Sequence, residues 1–114
     1  MEVQVQFFGT FQILFLKGTF DDKDAQALRM TLERALRSKI THLLLDCKEV
    51  VGVSPAGLRL LLSYIQKFEQ TKVTFVMFHL PADLLALVNS CGFDSVVKVT
   101  SSLEEALQII KAKS

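Results

Sequence analysis

The chain has 114 residues, half of them hydrophobic, with 13 basic and 12 acidic side chains and a net charge of +1. That is enough apolar material for one buried core, and it excludes a disordered segment. The charge balance leaves no field to draw nucleic acid or anionic lipid. No apolar run reaches the roughly 18 residues of a membrane span, and the start, MEVQVQFFGTFQ, lacks the basic and then apolar character of a signal peptide. The expectation is one cytoplasmic domain over residues 1–114.

Residues 3–8 (VQVQFF) alternate apolar and polar at first and predict a strand with one wet face. Gly9-Thr10 fits a two-residue hairpin turn with glycine first, and residues 11–17 (FQILFLK) predict the second strand. Gly18-Thr19-Phe20 reads as a loop. Asp21 or Asp22 is expected to cap a helix that runs to about Ser38. It lines up Ala25, Leu28, Leu32, Ala35 and Leu36 on one face, with acids at its start and Arg37 and Lys39 at its end.

Residues 42–47 (HLLLDC) predict a short buried strand, because LLL is too continuous for a half-exposed one. Lys48–Val53 reads as a loop. Ser54-Pro55 then has the form of an N-cap followed by proline in the first helical turn. That helix runs to about Glu69 and buries Leu58, Leu61, Leu62, Ile65 and Phe68. Residues 73–78 (VTFVMF) predict another buried strand. Pro81 opens a third helix over residues 82–90, with Gly92 as terminator. Residues 95–99 predict a last strand. Ser101 and Glu104 have capping-box spacing for a final helix that turns Leu103, Ala106, Leu107 and Ile110 inward.

The order β-β-α-β-α-β-α-β-α predicts an α/β domain with a mixed sheet of four to five strands and about four helices. Functional loops of such sheets leave the carboxyl ends of the strands. Residues 18–21, 48–54 and 79–81 are therefore expected along one edge.

Several chemical readings fall away on spacing. Gly52-Val-Ser-Pro-Ala-Gly57 has the glycine spacing of a phosphate loop, but Leu58 and Arg59 stand where that loop needs Lys and a hydroxyl. His42 and His79, with Cys47 and Cys91, form neither a metal-ligand pattern nor a nucleophile with its base and orienter. The cysteines read as two reduced thiols in or near the core. Ser95 and Lys98 share a spacing with some acyl-transfer enzymes, but in a strand their side chains point to opposite faces. Nothing calls for a cofactor, a metal or an enzymatic activity.

What remains is Val50-Val51-Gly52-Val53-Ser54-Pro55-Ala56-Gly57, an uncharged stretch that ends in a helix start of small residues. It reads either as a βα connection tucked under its own helix or as a contact surface. In the second case the small residues admit a partner's backbone and the N–H groups of the helix start offer donors.

This segment resembles a STAS domain, the fold of bacterial anti-sigma-factor antagonists. Ile13–Asp21 (ILFLKGTFD) is similar to the family's strand and Gly-x-hydrophobic-Asp turn. His42–Gly57 (HLLLDCKEVVGVSPAG) is similar to its strand, loop and D-S-[ST/A]-G helix start. Phe75–Gly92 is similar to its next strand, polar turn and helix, with Val88-Asn-Ser-Cys-Gly92-Phe93 as the closing signature.

The resemblance implies that a kinase-like anti-sigma factor or similar regulator docks on this loop. The contacts would fall on Asp21, Val53, Ser54, Ala56, Gly57 and Leu58. In the antagonists the hydroxyl residue just before the glycine is phosphorylated, and the added charge breaks the contact. By position that acceptor is Ala56, which has no hydroxyl. The serine before it falls on Pro55, and the family's aspartate falls on Ser54. Ser54 is the only hydroxyl of the loop, and it reads as an N-cap or as an alternative phosphoacceptor.

The expected function is an anti-sigma-factor-antagonist-like protein-binding module without the usual serine switch. An alternative is a small accessory subunit that grips the ATPase of a lipid ABC transporter. A third reading uses the clustered Phe7, Phe8 and Phe11 as a patch for nucleotide or lipid. The same residues also fit a hairpin with core on one face and a homodimer contact on the other.

Overall fold

The structure, a computed structural model, describes residues 1–21, 25–90, 92 and 97–112. The alternating first segment forms β1 (Glu2–Phe8) and turns back through Gly9 and Thr10 into β2 (Phe11–Phe20). Gly9 has a φ of +59°, the left-handed conformation that the first turn position of such a hairpin requires and glycine adopts without strain. The remaining elements are α1 (Gln26–Arg37), β3 (His42–Val53), α2 (Pro55–Gln70), β4 (Thr74–Phe78), α3 (Ala82–Ser90), β5 (Lys98–Thr100) and α4 (Leu103–Ala112).

The strands form one five-stranded sheet in the order β1-β2-β3-β4-β5. β1 is antiparallel to β2, and every later pair is parallel. The period of two in the strands sorts the core into two layers. Leu14, Leu16, Leu43, Leu45, Phe75 and Met77 face α1, α2 and α3, and pack with Leu28, Leu32, Leu61, Ile65, Phe68, Leu84 and Val88. Ile13, Leu44, Val76 and Phe78 face the other way, against Ala106 and Ile110 of α4. Each Leu or Phe so enclosed contributes roughly 1.5–3 kcal/mol through burial.

Five local expectations are corrected. β2 does not stop at Lys17, and β3 does not stop at Cys47. The two strands keep pairing, from Lys17↔Glu49 through Gly18↔Val50 and Thr19↔Gly52 to Phe20↔Val53. The pairing absorbs two register shifts, and Gly18, at a φ of +115°, sits beside the second of them. Mutual hydrogen bonding thus converts both expected loops, residues 18–20 and 48–53, into strand.

α1 begins later than expected. Ala25 is its N-cap, without a side-chain cap bond, and no acid lies in its first turn. Asp21 therefore does not cap it, and Asp22 lies outside the described residues. α4 is capped one residue further on, by Ser102 in place of Ser101. Ser102 Oγ accepts from the Glu105 N–H at 3.2 Å, and the Glu105 carboxylate accepts from the Ser101 N–H at 3.1 Å. β5 covers Lys98–Thr100, and residues 95 and 96 of the expected strand lie outside the described residues. Ser95, Cys91 and Lys113 lie outside the described residues.

Candidate functional site

The carboxyl ends of β2, β3 and β4 bring the expected segments to one edge. Phe20 and Val53 are paired where β2 and β3 end. The next N–H, of Ser54, donates to the Phe20 carbonyl at 2.9 Å and so ties the start of α2 to the end of β2.

Ser54 is extended, with φ −98° and ψ 158°, and its Oγ accepts from the Gly57 N–H at 3.0 Å. That is the N-cap bond expected of Ser before Pro. The Ser54 hydroxyl also donates to Asp21 Oδ1 at 3.5 Å. Asp21, expected as a helix cap, is instead the carboxylate that receives the loop's only hydroxyl.

Gly57 is buried against the end of β2. A β-carbon built there would stand 2.3 Å from the Phe20 carbonyl oxygen and 2.8 Å from its carbon. Leu58 is buried as well, within the core under α2. Of the residues implied as contacts, Gly57 and Leu58 thus hold the helix start from beneath. Asp21, Val53, Ser54 and Ala56 are half-buried. The outermost residues are Pro55 and Val51, and Val51 is 80% exposed.

Beside this ridge runs an open groove of about 380 Å³, lined by Val50, Val51, Gly52 and Val53 of β3 and by Pro81, Asp83, Leu84 and Leu87 at α3. It exists because β4 pairs with β3 only as far as Asp46↔Phe78, while β3 continues.

His79 and Asp46 mark the point where the strands part. His79 Nδ1 lies 3.2 Å from Asp46 Oδ1, which also accepts from the Lys48 N–H at 3.0 Å. His79 holds a φ of +55°, and its ring meets Phe78 edge-on with centroids 4.8 Å apart. In the sequence His79 belongs to no metal-ligand or triad pattern. The signal that could have paired it with Asp46 is register: Asp46 lies opposite Phe78 on the adjacent parallel strand, and His79 follows Phe78.

The other weighed chemistry is dispersed. His42 lies at the opposite end of β3, its Nδ1 2.8 Å from Thr41 Oγ1. Cys47 is fully enclosed. Burial, and then the charge of Asp46, push its thiol far above the ordinary range, so it stays protonated and is no nucleophile. Among the described residues no group of three or more His, Cys, Asp or Glu converges as a metal site, and no helix is long and apolar enough to cross a membrane.

The sequence model of the STAS domain matches residues 2–106. No curated protein matches the chain in sequence. Solved structures with the same fold include an anti-sigma factor antagonist from Mycobacterium paratuberculosis, 17% identical with a TM-score of 0.84 over 96% of this chain and 93% of that one. The Bacillus anti-sigma factor antagonist SpoIIAA, in its unphosphorylated form, is 13% identical with a TM-score of 0.76 over 96% and 98%. A sulfate transporter family protein from Wolinella succinogenes is 18% identical with a TM-score of 0.78 over 91% and 87%. At these identities the likeness is one of fold. The family match spans almost the whole chain, residues 2–106: this protein belongs to the STAS domain family.

Proposed function

We infer that the protein is an anti-sigma-factor-antagonist-like binding module, and that it docks a kinase-like anti-sigma factor or a similar regulator through the carboxyl edge of its sheet. The observation that carries this reading is the uncharged ridge at Val51–Ala56, whose Val51 side chain is 80% exposed beside the groove under α3. Val51 does not stand alone: with Val50, Val53, Pro81, Leu84 and Leu87 it lines one open groove, and a contiguous apolar patch of this kind supports a contact surface. SpoIIAA, of similar fold, is described as an antagonist of an anti-sigma factor and has a phosphorylated form.

The switch itself is missing from this edge. Ala56 has no hydroxyl to accept a phosphoryl group. Ser54 has one, but it caps α2 and faces Asp21 at 3.5 Å. A phosphate there would break the cap and set nearly two negative charges against a carboxylate. The module then holds its partner without release by phosphorylation.

Calorimetric titration of the cognate anti-sigma kinase tests the reading. Val51→Glu, a change on an exposed strand position, is expected to weaken binding at least about tenfold, as loss of a central apolar contact does. Equal affinity for both proteins overturns it. A second reading, a transporter-associated module, is favoured by the shared fold of the Wolinella protein. It includes the small accessory subunit of a lipid ABC transporter, and co-purification with an ATPase subunit in place of a kinase distinguishes it.

A further inference from the structure

β1 is one of the two outer strands of the sheet. β2 covers one side of it through unbroken pairing from Glu2↔Lys17 to Phe8↔Phe11, and among the described residues no strand covers the other side. Outer strands are ordinarily blunted by charges, proline or a bulge. β1 has no bulge, and from Val3 to Phe8 it has neither a charge nor a proline.

The hairpin decides which backbone groups face outward. A two-residue turn closes on a hydrogen-bonded pair, here Phe8 and Phe11, and such pairs alternate along the ladder. Gln6 and Gln4 therefore bond to β2, and the N–H and C=O groups of Val3, Val5 and Phe7 point away from the sheet. The side chains of these three residues share the face that carries α1. There Val3 and Val5 are half-buried against the core, and Phe7 is 73% exposed.

We propose that β1 pairs antiparallel with β1 of a second copy, about a two-fold axis through Val5. In this register all three outward positions are used. Val5 meets the partner's Val5, and Val3 lies opposite the partner's Phe7. Gln4 lies opposite the partner's Gln6, and Glu2 opposite the partner's Phe8, so no like charges meet. A slip of one residue sets outward groups against inward ones, and a slip of two loses pairs. This self-complementarity selects a second copy over an unrelated strand, because an isologous interface needs one patch that fits itself. Each exposed Phe7 ring gains a half-buried valine as cover.

The axis lies across the strands, so the carboxyl edges of the two copies point to opposite ends of a ten-stranded sheet. Both edges are open at once, which makes the dimer bivalent. The dimer itself does not depend on what docks there.

A seven-residue strand covers less than the about 1,600 Å² of a standard interface, so the dimer is weak and concentration-dependent. Light scattering from about 1 μM to about 1 mM spans that range. The expected result is a rise from monomer to dimer mass, with amide exchange at Val3, Val5 and Phe7 slowing as concentration rises, while Gln4 and Gln6 are slow throughout. Phe7→Lys is expected to raise the dissociation constant at least about tenfold. Val51→Glu is expected to leave it unchanged. A folded wild type that stays monomeric to the highest concentration overturns the proposal. So does a dimer whose Val3, Val5 and Phe7 amides exchange freely, or one broken by Phe8→Ser on the opposite face and untouched by Phe7→Lys.

Discussion

Gly57 packs so closely on Phe20 that a β-carbon on the glycine would stand 2.3 Å from the Phe20 carbonyl oxygen. The contact lies where β2 ends and α2 begins, and the oxygen it would strike already accepts the Ser54 N–H. The obstructing atoms are backbone, with no rotamer to turn aside. Gly57→Ala therefore has to push the head of α2 off the sheet. Overpacking of this kind costs about 1–3 kcal/mol, and a backbone obstacle places the cost in the upper half. Chemical denaturation should read a loss of about 2–3 kcal/mol, against which a loss below about 0.5 kcal/mol would count. This also decides how the proposed docking edge is probed: a change at Gly57 disturbs the fold, whereas one at the exposed Val51 leaves it intact and tests the proposed binding.

The same junction rests on Ser54. Its Oγ accepts from the Gly57 N–H at 3.0 Å, and its hydroxyl reaches Asp21. Ser54→Ala removes the cap and should lower stability by about 1 kcal/mol. Ser54→Asp supplies an acceptor again but sets it against the Asp21 carboxylate, so its stability should improve when Asp21→Asn is added. Urea unfolding of the four proteins forms the cycle. A double variant no more stable than Ser54→Asp alone would remove Asp21 from the junction.

Much of this arrangement was legible in the chain. The two-fold period of VQVQFF and the continuous LLL and TFVMF runs gave the strands, and the Ser-Pro pair gave the start of α2 within a residue. The order of elements placed residues 18–21, 48–54 and 79–81 on one edge. What could not be read depends on partners distant in sequence. Residues 18–20 and 48–53 look like loops because glycine, charge and polar groups interrupt them. They are strand only because each pairs with the other across the sheet. Asp21 looks like a cap, since acids precede α1, but its place is set by Ser54 some thirty residues on. Gly57 looks like one small residue among several, and only the path of Phe20 explains why it carries no side chain. The contact of Asp46 with His79 was hidden for the same reason.

Tyr64 predicts how stability depends on alkali. Its hydroxyl donates to Glu33 Oε1 at 2.7 Å and so joins α2 to α1, while Lys67 Nζ lies 4.8 Å from its ring centre. Burial first, then the hydrogen bond and charge of Glu33, raise its pKa above the ordinary 10, with Arg29 opposing. Above pH 10 the unfolded tyrosine loses its proton while the folded one keeps it. The native state then binds more protons, so unfolding free energy falls as pH rises through that range. Tyr64→Phe should be less stable near neutrality, through loss of the bond to Glu33, and should show a shallower decline above pH 10. Cys47, also raised, contributes a decline of the same sign, which cancels between the two proteins. Parallel slopes would contradict the assignment.

Cys47 should be chemically silent in the native protein. It has no measurable exposure, it is reduced, and its thiol is held protonated by burial and by the Asp46 charge. Thiolate is the reactive form, so both access and ionisation oppose modification. In a Cys91→Ser background, an aromatic disulfide reagent at pH 8 should find no reactive thiol in the folded protein and one per chain in denaturant. Prompt reaction without denaturant would mean that β3 opens locally far more readily than its burial implies.

The strongest consequence of the proposed docking edge concerns Ala56. It is half-buried on the first turn of α2, one residue before the glycine, at the position where the resemblance places a phosphoacceptor. Ala56→Ser adds one oxygen at a site already next to solvent, and serine suits the first turn of a helix, so folding should be unchanged within about 0.5 kcal/mol. With the cognate anti-sigma kinase and ATP, intact mass should show one added phosphate on Ala56→Ser and none on the wild type. A phosphate there would stand at the head of the same ridge as Val51, so the modified variant should lose affinity for the kinase while the unmodified variant retains it. Phosphate gained by the wild type, localised to Ser54, would show that the switch has moved rather than vanished. Phosphate gained by neither protein, with a kinase that binds both, would show that the edge docks its partner without presenting residue 56 to the active site.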